Sequence, residues 1–130
     1  MSGWSKINLE EVEDVASKFG MPDGMSARFP KGELGSEKVA VSQQSLGPNM
    51  RAPFGHRHEE QEELYVILAG GGRMKLDDDV IEIRPQDVIR VAPQTMRAFE
   101  SGPDGLELLA IGGPIGGDRG EIVQGWWAED

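Results

Sequence analysis

At 130 residues, with 38% hydrophobic and 28% charged side chains, the chain has the size and make-up of one globular domain rather than of a disordered or low-complexity tract. Its 23 acidic against 13 basic side chains leave a formal net charge of -10, a field that repels phosphate backbones and anionic headgroups, so neither nucleic acid nor a membrane surface is an expected partner. The absence of cysteine excludes disulfides, thiolate metal sites and a cysteine nucleophile, and leaves nitrogen and oxygen as the only metal donors.

The opening MSGWSKINLEEVED has no apolar stretch behind a positive flank, and no later run is long enough to span a bilayer; a cytoplasmic protein is expected. Residues 8–19 place Leu9, Val12, Val15, Ala16 and Phe19 at helical spacing, with Asn8 as N-cap, Glu11 in a capping box and Gly20 as the stop. This predicts one short amphipathic α-helix. Residues 20–37 mix Gly, Pro and charge without period and read as a loop or edge segment.

From Val39 onward the signals are those of strands: VAVSQQSL, APFGHRH, ELYVILA, GRMKL, VIEI, DVIRVA, MRAFE and LELLAI. Gly47-Pro48, Gly70 to Gly72, Asp77 to Asp79, Arg84-Pro85 and Gly102 to Gly105 punctuate them. Many short strands with no helix long enough for a parallel crossover predict an all-β sandwich or barrel. The segment 113–130 is a Gly-rich tail ending in Trp126 and Trp127, aromatics that imply docking on the barrel or on a partner subunit.

His56 and His58 are the only histidines, so any imidazole chemistry runs through one tripeptide. In an extended strand, residues two apart share a face, and both imidazoles project together while Arg57 points away. Glu63 opens the next apolar strand five residues on, and a short turn through EEQE lets its carboxylate meet them. Two histidines and a carboxylate suit Fe, Mn, Zn or Ni with coordination positions left open.

The run HRHEEQEELYVILAG fits the pattern H-x-H-x(4)-E-x(6)-G, with His56, His58, Glu63 and Gly70 in register, and in this it resembles the cupins. The resemblance covers residues 38–112 and implies a double-stranded β-helix, or jelly-roll, barrel preceded by the short helix. Met50 stands where the family motif opens with glycine. In the second motif Gln86, Ala92, Gln94, Arg97 and Ser101 occupy the marked positions, so none is kept. The family's fourth ligand, a histidine, is replaced by Arg97, whose guanidinium has no lone pair to offer a metal.

Arg97 therefore admits two readings. A divalent ion on His56, His58 and Glu63 with an inward guanidinium about 5 Å away meets about 7 kcal/mol of repulsion at an effective dielectric of about 20, unless a substrate carboxylate or phosphate lies between them. Alternatively Arg97 pairs with Glu63 and the pocket is balanced without metal. A guanidinium turned out to solvent is a third orientation. Tyr65 shares the parity of Glu63, and Phe99 that of Arg97, which places both in the cavity lining; Gln43 or Gln44 reaches the same space from the preceding strand.

The leading expectation is a small cupin that binds a divalent metal and an anionic small molecule, acting as an oxygenase or isomerase, with Arg97 as substrate anchor. The alternative is a metal-free, non-enzymatic binding module in which Arg97 pairs with Glu63 or with the ligand. A third is an interaction protein working through its Trp126-Trp127 tail. The resemblance also implies a homodimer, and the apolar alternate face of ELYVILA, with Leu64, Val66 and Leu68, needs cover from another sheet or a second subunit.

Overall fold

A computed structural model describes residues 3–130. The expected helix over residues 8–19 does not form. In its place stand two 3-10 turns, Leu9–Glu11 and Ala16–Phe19, separated by an extended stretch. The Asp14 side chain causes the break: its Oδ1 accepts from the amides of Ala16 and Ala27, while Val15 donates its own N–H to the Ala27 carbonyl. Those bonds commit Asp14 to a β-bridge with Arg28, and a backbone that is bridged cannot also close helical turns. The apolar periodicity is still used, because Val12 and Ala16 are buried. Asn8 caps the first turn through the Glu10 amide.

Eight strands follow: β1 Met25–Arg28, β2 Ala40–Leu46, β3 Phe54–Arg57, β4 Glu62–Leu76, β5 Asp79–Ile83, β6 Val88–Val91, β7 Arg97–Gly113 and β8 Glu121–Gln124. One helical turn, α1 Lys31–Leu34, joins β1 to β2. Every pairing is antiparallel. The two long strands β4 and β7 pair with each other along most of their length and serve both halves of the barrel. Their first partnership, Glu62 to Gly70 with Leu106 to Gly113, carries β6 on one side and β2 then β1 on the other. Their second, Gly72 to Leu76 with Arg97 to Ser101, carries β5 on one side and β3 then β8 on the other. Two sheets sharing two bent strands make the jelly-roll barrel of the cupin fold.

The bend lies in β4 at Gly70 and Gly72, where the register with β7 slips. Gly70 has φ 73°, and a Cβ on it would stand 2.1 Å from the Gly105 carbonyl oxygen. A Cβ on Gly72 would come within 1.9 Å of the Glu100 oxygen. Only glycine lets the two backbones approach so closely at the fold line. The core between the sheets includes Tyr65, Ile67, Met74, Phe99 and Leu108.

The tail docks on its own barrel. Strand β8 pairs with β3, and Trp127 is buried with the guanidinium groups of Arg51 and Arg73 over its ring, 4.5 and 5.4 Å from the centroid. Asp130 clasps Arg51 and accepts from Trp127 Nε1. By contrast, the alternate face of β4 stays open, with Leu64 and Leu68 exposed, so no second sheet of the barrel covers it. No helix among the described residues is long and apolar enough to cross a membrane.

Candidate functional site

Strand β3 carries His56, and His58 follows one residue beyond its end, held by a bond from its amide to the Pro93 carbonyl. The two rings meet edge to face, with centroids 5.2 Å apart. Glu63, near the start of β4, lies opposite Gly112, where a Cβ would meet Glu63 Cγ at 3.0 Å. The missing side chain on β7 thus makes room for the carboxylate. His56, His58 and Glu63 converge as their spacing requires: one ligand atom from each lies within 4.8 Å of the others.

The geometry centres on one atom, Glu63 Oε1. The Tyr65 hydroxyl donates to it at 2.6 Å and Arg97 Nη1 at 3.0 Å, while Nε2 of His58 and of His56 stand 3.2 and 3.5 Å away. His56 is the register partner of Arg97 across β3 and β7, which is how the guanidinium comes beside the triad. Arg97 is wholly buried and does not face solvent. Its Nη2 donates to the Ala92 carbonyl at 2.8 Å, and its Nε finds no partner among the described residues. Burial opposes ionisation of Glu63, but the imidazoles of His56 and His58 and the Tyr65 hydroxyl outweigh it and hold the carboxyl well below the usual range. Burial, and then the Glu63 charge, push the Tyr65 phenol well above its ordinary value.

A cavity of about 640 Å³ opens from this cluster to the surface. Its polar floor includes Ser42, Gln44, His56, His58 and Glu63, and its mouth includes Phe19, Phe29 and Ile122. The other residues expected to contact ligand lie elsewhere. Tyr65 and Phe99 are buried in the core with ring centroids 5.1 Å apart, behind the cluster rather than on the cavity wall. Gln43 points across the sheet, accepting from Arg28 and donating to Glu107, and its neighbour Gln44 takes the cavity side. Arg97 does not line this cavity but borders an adjoining pocket of only about 40 Å³, with His56 and Phe99.

Asp118 was not foreseen. Its carboxylate accepts from three successive amides, Glu59, Glu60 and Gln61, at 2.8, 3.2 and 2.7 Å, and sits 3.7 Å from His58 Nδ1. It anchors the loop between β7 and β8, including Gly116 and Gly117, on the cavity wall. Burial opposes its charge, but the three amides prevail and lower its pKa. The sequence signal was slight: one acid among glycines, 48 residues beyond the end of the motif that it serves.

Two of the separations within the donor set match those around a divalent ion. Two ligands at about 2.1 Å from one ion are about 3.0 to 3.4 Å apart in octahedral or tetrahedral geometry, close to the 3.2 and 3.5 Å separating the two Nε2 atoms from Oε1. His58 Nε2 is moreover buried and, although 3.2 Å from Glu63 Oε1, is not aligned to hydrogen-bond with it or with any other group among the described residues. His56, His58 and Glu63 could therefore hold a metal. Arg97 opposes it, since a fixed positive charge touches the same oxygen.

Fold and site together define a small jelly-roll protein with a polar cluster of two histidines, a glutamate and an arginine inside its barrel. A cupin protein from Bacteroides fragilis superposes over 100% of this chain and 96% of its own, with a TM-score of 0.71 and 24% identity. A sugar phosphate isomerase of the cupin superfamily from Silicibacter pomeroyi covers 92% of this chain and 82% of its own (TM-score 0.71, 18% identity). The polyketide cyclase RemF from Streptomyces resistomycificus covers 97% and 88% (TM-score 0.73, 18% identity). These likenesses establish the cupin fold, and at such identity they establish the fold alone. No family model matches the chain. An uncharacterized protein of Methanocaldococcus jannaschii is 39% identical over 46 residues, a stretch that spans 35% of this chain and only 37% of that relative.

Proposed function

We propose that the protein is a small-molecule-binding cupin that takes its ligand into the cavity above His56, His58 and Glu63, at a centre whose charge Arg97 already balances. One observation carries this reading: the buried guanidinium lies 3.0 Å from the carboxylate oxygen on which the cluster converges. Glu63 and Arg97 cancel, so the floor needs no cation, and the imidazoles remain free to exchange hydrogen bonds with a polar ligand group. On this reading Arg97 shapes the site through Glu63 instead of gripping the ligand itself.

A second reading rests on the orphaned His58 Nε2 and on the metal-like spacing of the donors. In it His56, His58 and Glu63 hold a divalent ion, which would supply Lewis-acid polarisation of a bound oxygen and support oxygenase or isomerase chemistry. An anionic ligand group then has to offset Arg97.

Metal analysis of the untagged protein, after reloading with Fe, Mn, Zn or Ni, separates the two. The first reading expects well under one ion per chain, with the His56 and His58 imidazole signals in NMR still responding to small molecules. Near-stoichiometric metal on the unmodified chain would replace it with the second.

A further inference from the structure

The cavity mouth carries a feature that the polar cluster does not explain. Phe19 and Phe29 line it side by side, with ring centroids 5.8 Å apart and planes inclined at 50°, yet they are 47% and 43% exposed. Neither ring stands on a loose segment. Phe19 ends the second 3-10 turn, stopped by left-handed Gly20, and Phe29 follows β1 directly before Pro30. The two backbones are tied to each other by the Asp14 side chain, which accepts from Ala16 and Ala27, and by the amide of Val15 on the Ala27 carbonyl. The bonds that break the N-terminal helix thus hold one phenyl ring beside the other at the entrance. Phe54 and Ile122 extend the same apolar rim.

Charge around the cavity is unevenly satisfied. Glu63 is paired with Arg97, Arg57 with Glu121, and Asp118 with three amides. Lys31, which also lines the mouth, enters no ion pair among the described residues. Among the described charged residues that line the cavity, the unmatched one is therefore a cation at the rim, two residues from Phe29.

We propose that the ligand is an aromatic acid: a planar ring packed on Phe19 and Phe29, a carboxylate beside Lys31, and a polar substituent directed to His56 and His58. This rests on the binding reading given above and adds the ligand's chemical class to it. Flat aromatic rings gain stacked or edge-to-face contact with an aromatic pair at this spacing, beyond what burial of their area alone supplies. The cavity of about 640 Å³ is ample for a body of one or two rings.

Saturation-transfer NMR on the full chain tests this with three pools: hydroxybenzoates and related aryl acids, cyclohexanecarboxylates and other aliphatic acids, and sugar phosphates. The aryl acids should bind and shift the imidazole signals of His56 and His58. Phe19→Leu/Phe29→Leu should weaken them roughly five- to tenfold while leaving the melting temperature near that of the parent. Lys31→Gln should weaken 4-hydroxybenzoate and leave its methyl ester unchanged. Preference for sugar phosphates or aliphatic acids, or aryl affinity indifferent to the leucine pair, would overturn the inference and leave the binding reading standing. Imidazole signals unmoved by all three pools would overturn both.

Discussion

Arg97 and Glu63 form a buried pair in which the guanidinium has no other ion-pair partner among the described residues, while the carboxylate oxygen that it touches also receives the Tyr65 hydroxyl. Each charge offsets the other, beside the support that Glu63 has from His56, His58 and Tyr65. Arg97→Met leaves Glu63 buried without its counter-charge and should cost about 3–5 kcal/mol in denaturant unfolding. Adding Glu63→Gln to it removes the stranded charge, so the double variant should be more stable than Arg97→Met alone. Losses that simply add would show that the two side chains do not interact.

Tyr65 is the chain's single tyrosine, so its ionisation can be read alone from phenolate absorbance. Burial and the neighbouring Glu63 charge raise its pKa, with Arg97 acting in the opposite sense. Little phenolate should form in the folded protein around pH 10, where a free phenol is half ionised. Stability from this group is complete below that pH and is lost above it, because the unfolded chain releases the proton first. Glu63→Gln should bring the midpoint down. A midpoint near 10 in folded protein, verified by circular dichroism, would mean that the phenol is not sealed behind the cluster.

How much of this was legible depends on whether the signal was local. His56 and His58 share a face by strand parity, and Glu63 needs only a short turn to reach them, so the triad could be read from one fifteen-residue run. The strand content was legible as well, but its breaks were not: Gly70 to Gly72 and Gly102 to Gly105 read as turns, whereas β4 and β7 run straight through them. A glycine that ends a strand and one that bends it leave the same mark on a sequence, and only the close approach of the partner backbone tells them apart. The helix over residues 8–19 failed for a related reason. Its periodicity was real, but the competing partner of Asp14 lies 13 residues away at Ala27. Strand parity left Gln43 and Gln44 as alternatives, of which Gln44 lines the cavity, whereas Asp118 and the Phe19–Phe29 pair come from contacts that no spacing rule encodes.

Glu100 gathers both guanidinium groups of the tail clasp, Arg51 at 2.7 Å and Arg73 at 2.8 Å. Burial opposes its ionisation, but the bonds from Arg73 and Arg51 prevail and lower its pKa. A carboxyl depressed in the folded state stabilises above its unfolded value of 4.5 and loses that contribution as pH falls further. Glu100→Gln should therefore lower stability at neutral pH and flatten its decline between pH 5 and 3. Trp127→Ala, which removes the buried ring that both arginines pack on, should cost about 3–5 kcal/mol. Melting curves across that pH range check both, and an unchanged acid slope in Glu100→Gln would place the titrating groups elsewhere.

Asp118 is the main tie of the loop between β7 and β8. A Cβ on Gly116 or Gly117 would meet nothing within 4 Å, and the Ile115 amide bonds the Lys38 carbonyl only at the loop's start. Removing the carboxylate frees three consecutive N–H groups and releases the wall of the cavity beside His58. Asp118→Ala should thus speed hydrogen exchange at Glu59, Glu60 and Gln61 by an order of magnitude or more, since about 1.4 kcal/mol of lost protection is tenfold. Asp118→Asn keeps an acceptor oxygen and should fall between the two. Exchange at 59–61 that is indifferent to both substitutions would mean that these amides are protected by something other than Asp118, and the loop would then have to be held on the cavity by its backbone alone.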